Sequence, residues 1–252
     1  MPSDQSVCII IPARAKSTRL PGKPLQPLLG KPMVLWVAEA CARAVPVKDV
    51  YIATDSQEIA QVVHEGGFQA IMTSANAMTG TDRTAEAAEK LDYDIYINVQ
   101  GDEPLVDPEN IRRAVALKRA NPNKVVNAFA LIGATENPSN VNIPKVVVNE
   151  RKEMLYMSRA AIPAGKSIPI SEITFKKQIC IYGFSLEELQ DYRSFGRKSA
   201  VEAIEDIEIL RFVELGKAII MFEAVGQSVA VDVIEDVPVA ENMLKERFGP
   251  WL

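Results

Sequence analysis

The sequence predicts an α/β protein: a mixed, mostly parallel sheet flanked by helices, with a smaller antiparallel lobe. Three observations lead there. Short apolar runs rich in β-branched residues alternate with helical stretches of about ten residues through the first half, the pattern of βαβ units. Basic or acidic segments follow those runs directly, where open α/β sheets hold ligands. Beyond residue 124 the strands come with little helix between them, the pattern of an antiparallel extension.

The elements follow in order. Residues 8–11, CIII, form a buried strand that ends at Pro12. A loop with Arg14, Lys16, Arg19 and Lys23 leaves it, and Gly30 and Pro32 punctuate a turn. Helical spacing and good helix formers mark 33–44. A strand over 50–54 ends at Asp55, a helix over 57–65 stops at Gly66-Gly67, and a third strand covers 68–73. His64 sits in the last turn of that helix, where the dipole favours it. After the loop SANAMTGTDR, Thr81 or Asp82 caps a helix to about residue 91. A strand over 94–99 runs into QGDEP, and a helix begins after Pro108.

The second half reads as strands over 124–131, 145–149 and 175–184, with a mobile Pro-flanked loop at 163–169. Residues 200–215 carry the strongest helical pattern, with Ile204, Ile207, Leu210 and Val213 or Phe212 as apolar stripe and Gly216 as its stop. Strands over 218–223 and 228–231 and a helix within 231–248 complete the chain.

Composition narrows the function. A net charge of −5 speaks against non-specific nucleic-acid binding. No apolar run of about 18 residues occurs, and the N-terminus lacks the features of a signal peptide, so neither a membrane nor export is expected. The three cysteines, Cys8, Cys41 and Cys180, lie far apart, and the first two sit in apolar patterns, which suits reduced residues of a cytoplasmic protein. With one histidine in the chain, Ser-His-Asp or Cys-His chemistry has almost no material.

Against that acidic background, residues 5–38 hold five basic side chains and no carboxylate. Several cations and close backbone N–H groups suit a polyphosphate. Arg14 can grip phosphate oxygens in bidentate fashion, Lys23 acts as a point charge, and Gly22 allows close approach. Neither GxxxxGK[ST] nor GxGxxG is present. A solvated charged loop is the plain structural reading. Asp102 and Glu103 follow a hydrophobic strand beside that loop, and Asp102 is a natural magnesium ligand; a turn with an aspartate cap is the alternative. Asp232 repeats the pattern after SVAV, and two such carboxylates could hold an ion between phosphates and an attacking oxygen. Asp236 reads as a helix start or surface residue. GTDR, with Arg83, offers free N–H groups and a guanidinium fork for an acid, or an ordinary cap. Ser158, Arg159, Lys145, Gln178 and Tyr182 are weaker candidates.

In these residues the chain resembles a known family. IPARAKSTRLPGKPL, MTGTDR, INVQGDEPLVDP, LYMSRAAIP, IYGF and AVDVIED stand in the order of the 3-deoxy-manno-octulosonate (Kdo) cytidylyltransferases, the CMP-Kdo synthetases, or a branch using 8-amino-3,8-dideoxy-Kdo. The resemblance covers nearly the whole chain. It implies a Rossmann-like nucleotidyltransferase sheet with an antiparallel dimerisation lobe, and a single domain: a nucleotide-binding core at roughly 1–130, a sugar-binding and dimerisation lobe at roughly 131–225, and a return to the core at 226–252. It implies that CTP and a 2-keto-3-deoxy sugar acid give the CMP-sugar and pyrophosphate, for lipopolysaccharide or capsule synthesis, in a magnesium-dependent homodimer. By position, Pro12, Ala13, Arg14, Ser17, Arg19 and Lys23 form the nucleotide loop, and Ala13, Met72, Thr73 and Gln100 border cytosine and ribose. Asp102 and Asp232 match the magnesium carboxylates; with Arg14 and Lys23 they make the catalytic set. Arg83, Gln100, Gln178, Tyr182, Glu205 and Glu208 lie where the family meets its sugar. The chain departs from the family pattern at Ala15, Ala77, Gln178, Cys180, Ala203 and Ile209, which cluster on the sugar side. An acceptor such as a sialic-type acid or a sugar phosphate, or a non-catalytic nucleotide-binding role, are the alternatives.

Overall fold

The structure, a computed structural model, describes residues 5–17, 19–133, 136–226 and 229–249. In chain order the strands are β1 (Val7–Ala13), β2 (Pro27–Leu28), β3 (Lys31–Pro32), β4 (Val50–Thr54), β5 (Gln69–Met72), β6 (Ile95–Val99), β7 (Val125–Leu131), β8 (Lys145–Val148), β9 (Met154–Ser158), β10 (Lys176–Phe184) and β11 (Ile219–Glu223). The helices are α1 (Met33–Ala42), α2 (Gln57–Glu65), α3 (Gly80–Ala88), α4 (Pro108–Ala120), α5 (Leu186–Ser194), α6 (Ala200–Glu205), α7 (Leu210–Glu214) and α8 (Asp236–Phe248).

Nine strands make one sheet in the order β11-β7-β10-β6-β1-β4-β5, with β8 joined to β10 and β9 to β8. The run β6-β1-β4-β5 is parallel, and β10 enters antiparallel between β6 and β7. The β8–β9 hairpin is the antiparallel lobe, while β11 returns parallel to β7. β2 and β3 form a separate small antiparallel pair.

Apolar side chains alternate along the strands, so each face of the sheet has its own core. Ile9, Ile11 and Ile52 pack under α1, α2 and α4 through Val34, Val63 and Ile111. Cys8, Ile10 and Tyr96 pack on the other face with Leu189 of α5 and Phe212 of α7. A third cluster joins Leu20 and Trp36 to Val231 and Leu244, and so brings the end of the chain back to the basic loop.

Several expectations need correction. β1 continues through Pro12, because Pro12 pairs only toward Ala53 of β4 while the ladder to β6 stops at Ile10; proline is tolerated at such a strand end. The cap of α3 is Thr79, whose hydroxyl accepts the Asp82 N–H, not Thr81 or Asp82, and the helix stops at Ala88. β9 and α5 are additional elements; α5 opens with a capping box of Ser185 and Glu188. The described part of 228–231, residues 229–231, is irregular chain rather than strand, because its alternation reflects burial of Val231 against α8. The last helix starts at Asp236.

The expected single helix over 200–215 is two, broken at Asp206, which takes a left-handed φ of 50°. Aspartate tolerates this region better than most residues. Arg159, from the end of β9, donates to the Glu205 and Asp206 carbonyls and so replaces intrahelical bonds there. The apolar stripe fails with the helix: Ile207, Leu210 and Phe212 are buried, but Ile204 is 83 % exposed.

Candidate active site

The basic loop leaves β1 after Ala13, with Arg14, Ala15 and Lys16 exposed. Gly22, at φ 65°, turns the chain into a 3-10 turn over Lys23–Leu25, a conformation that only glycine adopts without cost. That turn aims Lys23 back at two carboxylates. Its Nζ lies 2.6 Å from Asp102 Oδ2 and 2.8 Å from Asp232 Oδ1. Arg19 Nη2 adds a contact to Asp232 Oδ1 at 2.9 Å. Ser17 Oγ accepts the Leu20 N–H and shapes the loop between them.

The aspartates are held in place by the backbone. Asp102 follows Gly101, where a Cβ would come within 2.8 Å of the Pro12 carbonyl oxygen; glycine is what lets the end of β6 lie against the end of β1. The Val231 N–H donates to the Asp102 carbonyl at 2.9 Å, which places the next residue, Asp232, beside Asp102. Asp236, the first residue of α8, accepts the Asp232 and Val233 N–H groups. The reading of Asp236 as a helix start therefore holds, and it also fixes Asp232.

Burial works to lower the Lys23 pKa, but Asp102 and Asp232 outweigh it and hold the ammonium above its ordinary value. For Asp232, burial pushes upward, and Lys23 and Arg19 outweigh it and hold the carboxyl below the usual range. Lys23 and Asp232 are therefore both charged across the neutral range.

Ala13, Thr54 and Met72 are register partners across β1, β4 and β5, so the expected base-side residues share one edge of the sheet with Gln100, which follows β6. Met72 is 38 % exposed there. Thr73 is buried and donates to the Thr54 carbonyl.

The residues expected on the sugar side fall into separate groups. Gln100 Nε2 donates to Glu208 Oε1 at 2.7 Å, and the Thr81 N–H donates to Glu208 Oε2 at 3.0 Å. Burial, and secondarily Asp82, raises the Glu208 pKa. Gln178 Nε2 donates to the hydroxyl of buried Tyr182 at 3.1 Å. Glu205 turns elsewhere, accepting from Ser158 Oγ at 2.6 Å and the Arg159 N–H at 2.8 Å. Among the described residues no hydrogen bond or ion pair joins it to the Gln100–Glu208 pair. Arg83 is 3 % exposed and spans Thr73 and Asp55. Lys145 is buried and bonds the backbone carbonyls of Asn140 and Arg159, a structural role.

Two features escaped the motif reading. Asp55 accepts both the Ala15 N–H and Arg83; its signal was present, since VYIATD ends an apolar strand on a carboxylate as INVQGD and SVAVD do. Arg211, wholly buried, bonds Asp82 and Glu202 and lies 3.8 Å above the Tyr192 ring; nothing in its neighbourhood in sequence marks it.

A sequence profile described as cytidylyltransferase matches residues 8–219. The 3-deoxy-manno-octulosonate cytidylyltransferase of Francisella philomiragia is 40 % identical over 243 residues, covering 92 % of this chain and 96 % of its own. The 8-amino-3,8-dideoxy-manno-octulosonate cytidylyltransferase of Shewanella halifaxensis is 37 % identical, covering 95 % and 98 %. A solved structure of a CMP:2-keto-3-deoxy-manno-octonic acid synthetase complexed with CTP superposes with a TM-score of 0.88 at 35 % identity, covering 96 % of this chain and 99 % of that one. Motifs, fold and relatives agree: the chain belongs to the cytidylyltransferase family, in the group of Kdo and 8-amino-Kdo cytidylyltransferases.

Proposed function

We propose that the charge cluster of Lys23, Asp102 and Asp232 marks where this enzyme joins CTP to an acidic sugar. The protein is a CTP-dependent cytidylyltransferase that activates Kdo or its 8-amino analogue to the CMP-sugar and releases pyrophosphate. The observation that carries the site is the single ammonium, Lys23, bridging carboxylates from two distant segments at 2.6 and 2.8 Å.

The anomeric hydroxyl attacks the α-phosphorus of CTP as the bond to pyrophosphate breaks. Lys23, Arg14 and Arg19 offset charge on the phosphates, which is most of what phosphoryl-type transfer asks of a protein. Arg14 is exposed on the loop, free to meet a polyanion. Two convergent, partly exposed carboxylates are an oxygen donor set of the kind magnesium accepts, and Asp102 and Asp232 are the residues that would hold it. Magnesium supplies charge neutralisation and favours the deprotonated form of the attacking hydroxyl. On the acceptor side, Gln100 and Glu208 are pre-oriented by each other and by the Thr81 N–H, and present hydrogen-bonding groups to hydroxyls.

We assign the protein to a cytoplasmic homodimer. Its three cysteines are free. The β8–β9 lobe exposes Leu155 at 58 % and Tyr156, and Ile204, exposed too, precedes the Glu205 that Tyr156 bonds; exposed apolar side chains of this kind are what partners cover. Light scattering during gel filtration reads the oligomer directly.

The test of function is pyrophosphate release with magnesium, CTP and a panel of Kdo, its 8-amino analogue and a sialic acid, with ATP, GTP and UTP as controls. Turnover is expected with CTP and one of the first two acids. Turnover confined to another nucleotide or acceptor would overturn this assignment.

A further inference from the structure

We propose that Asp55 and Arg83 are positioning residues, a buried clamp that sets the nucleotide loop, and that Arg83 does not bind the acidic sugar. The proposal rests on the nucleotide-site reading above and replaces the role expected for Arg83.

Asp55 stands one residue beyond β4, whose last residue, Thr54, is the register partner of Ala13 at the end of β1. One carboxylate oxygen, Oδ1, accepts the Ala15 N–H at 2.9 Å. The other, Oδ2, accepts Arg83 Nη2 at 3.3 Å. Arg83 Nη1 donates to Thr73 Oγ1 at 2.5 Å, and Thr73 Oγ1 donates to the Thr54 carbonyl at 3.0 Å. Side chains from the ends of β4, β5 and α3 thus converge on one backbone N–H of the loop.

That N–H belongs to the peptide joining Arg14 to Ala15. Holding it fixes the plane of this peptide, and with it the direction in which Arg14 leaves the sheet. The loop segment from Arg14 to Lys16 is exposed, and Asp55 anchors its first turn through the Ala15 N–H.

Charge explains why two residues are needed. The side chains of Asp55 and Arg83 are 8 % and 3 % exposed. A carboxylate this buried is costly unless an opposite charge and hydrogen bonds meet it. Without Arg83, Asp55 loses its partner and turns to solvent, which weakens its hold on Ala15. The same burial argues against a sugar contact. Both terminal nitrogens of Arg83 are engaged inward, and meeting a substrate acid would break the pair and leave Asp55 alone.

The test compares Asp55→Ala, Arg83→Ala, Arg83→Lys and the double variant Asp55→Ala/Arg83→Ala. CTP binding is read by calorimetry with magnesium and without sugar acid, and kinetic constants for CTP and acid are read separately. The clamp predicts that each alanine variant loses roughly 10–100-fold in kcat/KM for CTP, the scale of deleting an orienting partner. KM for the acid should stay within about threefold, and the double variant should be no worse than the poorer single one, since both act through one N–H. Arg83→Lys, which keeps the charge, should recover part of the loss. Arg83→Ala raising KM for the acid alone, with CTP affinity unchanged, would overturn the proposal, as would Asp55→Ala binding CTP normally. Should Arg83→Ala fail to fold, Thr73→Val removes the outer anchor and should weaken CTP binding in the same direction; unchanged binding there counts against the clamp. CTP uptake by the wild type without turnover on any acid would refute the acceptor reading and leave the clamp measurable.

Discussion

Lys23 Nζ lies 2.6 Å from Asp102 Oδ2, although the two residues are 79 positions apart. The same nitrogen reaches Asp232, 209 positions away. A short glycine-led turn and one backbone hydrogen bond, from the Val231 N–H to the Asp102 carbonyl, make this meeting possible. A cation held between two anions is a preorganised electrostatic centre, and its parts can be removed one at a time.

Asp102→Asn keeps the shape and removes one charge. Turnover should fall roughly 10²-fold or more, the scale of deleting one aligned electrostatic partner. Because the Asp102 side chain is 26 % exposed, the fold should be little affected. Pyrophosphate release and a thermal melt on the same sample check both halves; near-normal activity would contradict the assignment.

Asp232 gives the pH dependence a sign. Its folded pKa lies below its ordinary 3.8, so the stability it contributes is complete above that value and is lost as pH falls through the folded pKa. Lys23 acts oppositely: its folded pKa lies above 10.5, so its contribution is lost only as the solution becomes more alkaline than that. Asp232→Asn should therefore lower the neutral plateau of the melting temperature and converge with the wild type in acid below pH 3.8, which flattens the acid limb. Melts from neutrality into acid measure this, and an unchanged acid limb would count against the pairing.

Arg211 is buried between Asp82 and Glu202, which join α3 to α6. Arg211→Met strands two buried carboxylates and should cost about 3–5 kcal/mol, the usual penalty for breaking a buried ionic group by removing one partner. Urea unfolding reads this directly. A loss below about 1 kcal/mol would mean that the carboxylates find other partners.

Gly101→Ala places a methyl 2.8 Å from the Pro12 carbonyl oxygen. Backbone on both sides must move, at about 1–3 kcal/mol by analogy with overpacked cores. The displacement falls between Gln100 and Asp102, so kcat should drop more than stability does. Urea unfolding beside steady-state kinetics separates the two effects, and a stable variant with normal kcat would show that the ends of β1 and β6 need not lie so close.

Much of the charge cluster at the end of the sheet was legible because its signals are local. An apolar strand followed by a basic loop, or by a carboxylate, can be read from neighbouring residues, and β4, β6 and α2 follow the spacing closely. The surroundings of the residues expected to meet the sugar were less legible. Glu205 and Glu208 look equivalent on a helix over 200–215, yet one bonds Ser158 and the other bonds Gln100. The break at Asp206 separates them, and it depends on Arg159, which arrives from another part of the chain. Arg83's partners, Thr73 and Asp55, were hidden for the same reason: they are set by the packing of α3 against strand ends.

By itself the sequence determined the alternation of strands and helices, the positive loop, the two carboxylates after apolar runs, and through these the family. Hydrophobic period and turn chemistry act over a few residues, so they are written in the order of the residues. Only the tertiary structure decided which charges meet, where the helix over 200–215 breaks, and which guanidinium is buried. Ion pairs and captured carbonyls depend on distances between segments far apart in the chain, and those distances exist only once the sheet has formed.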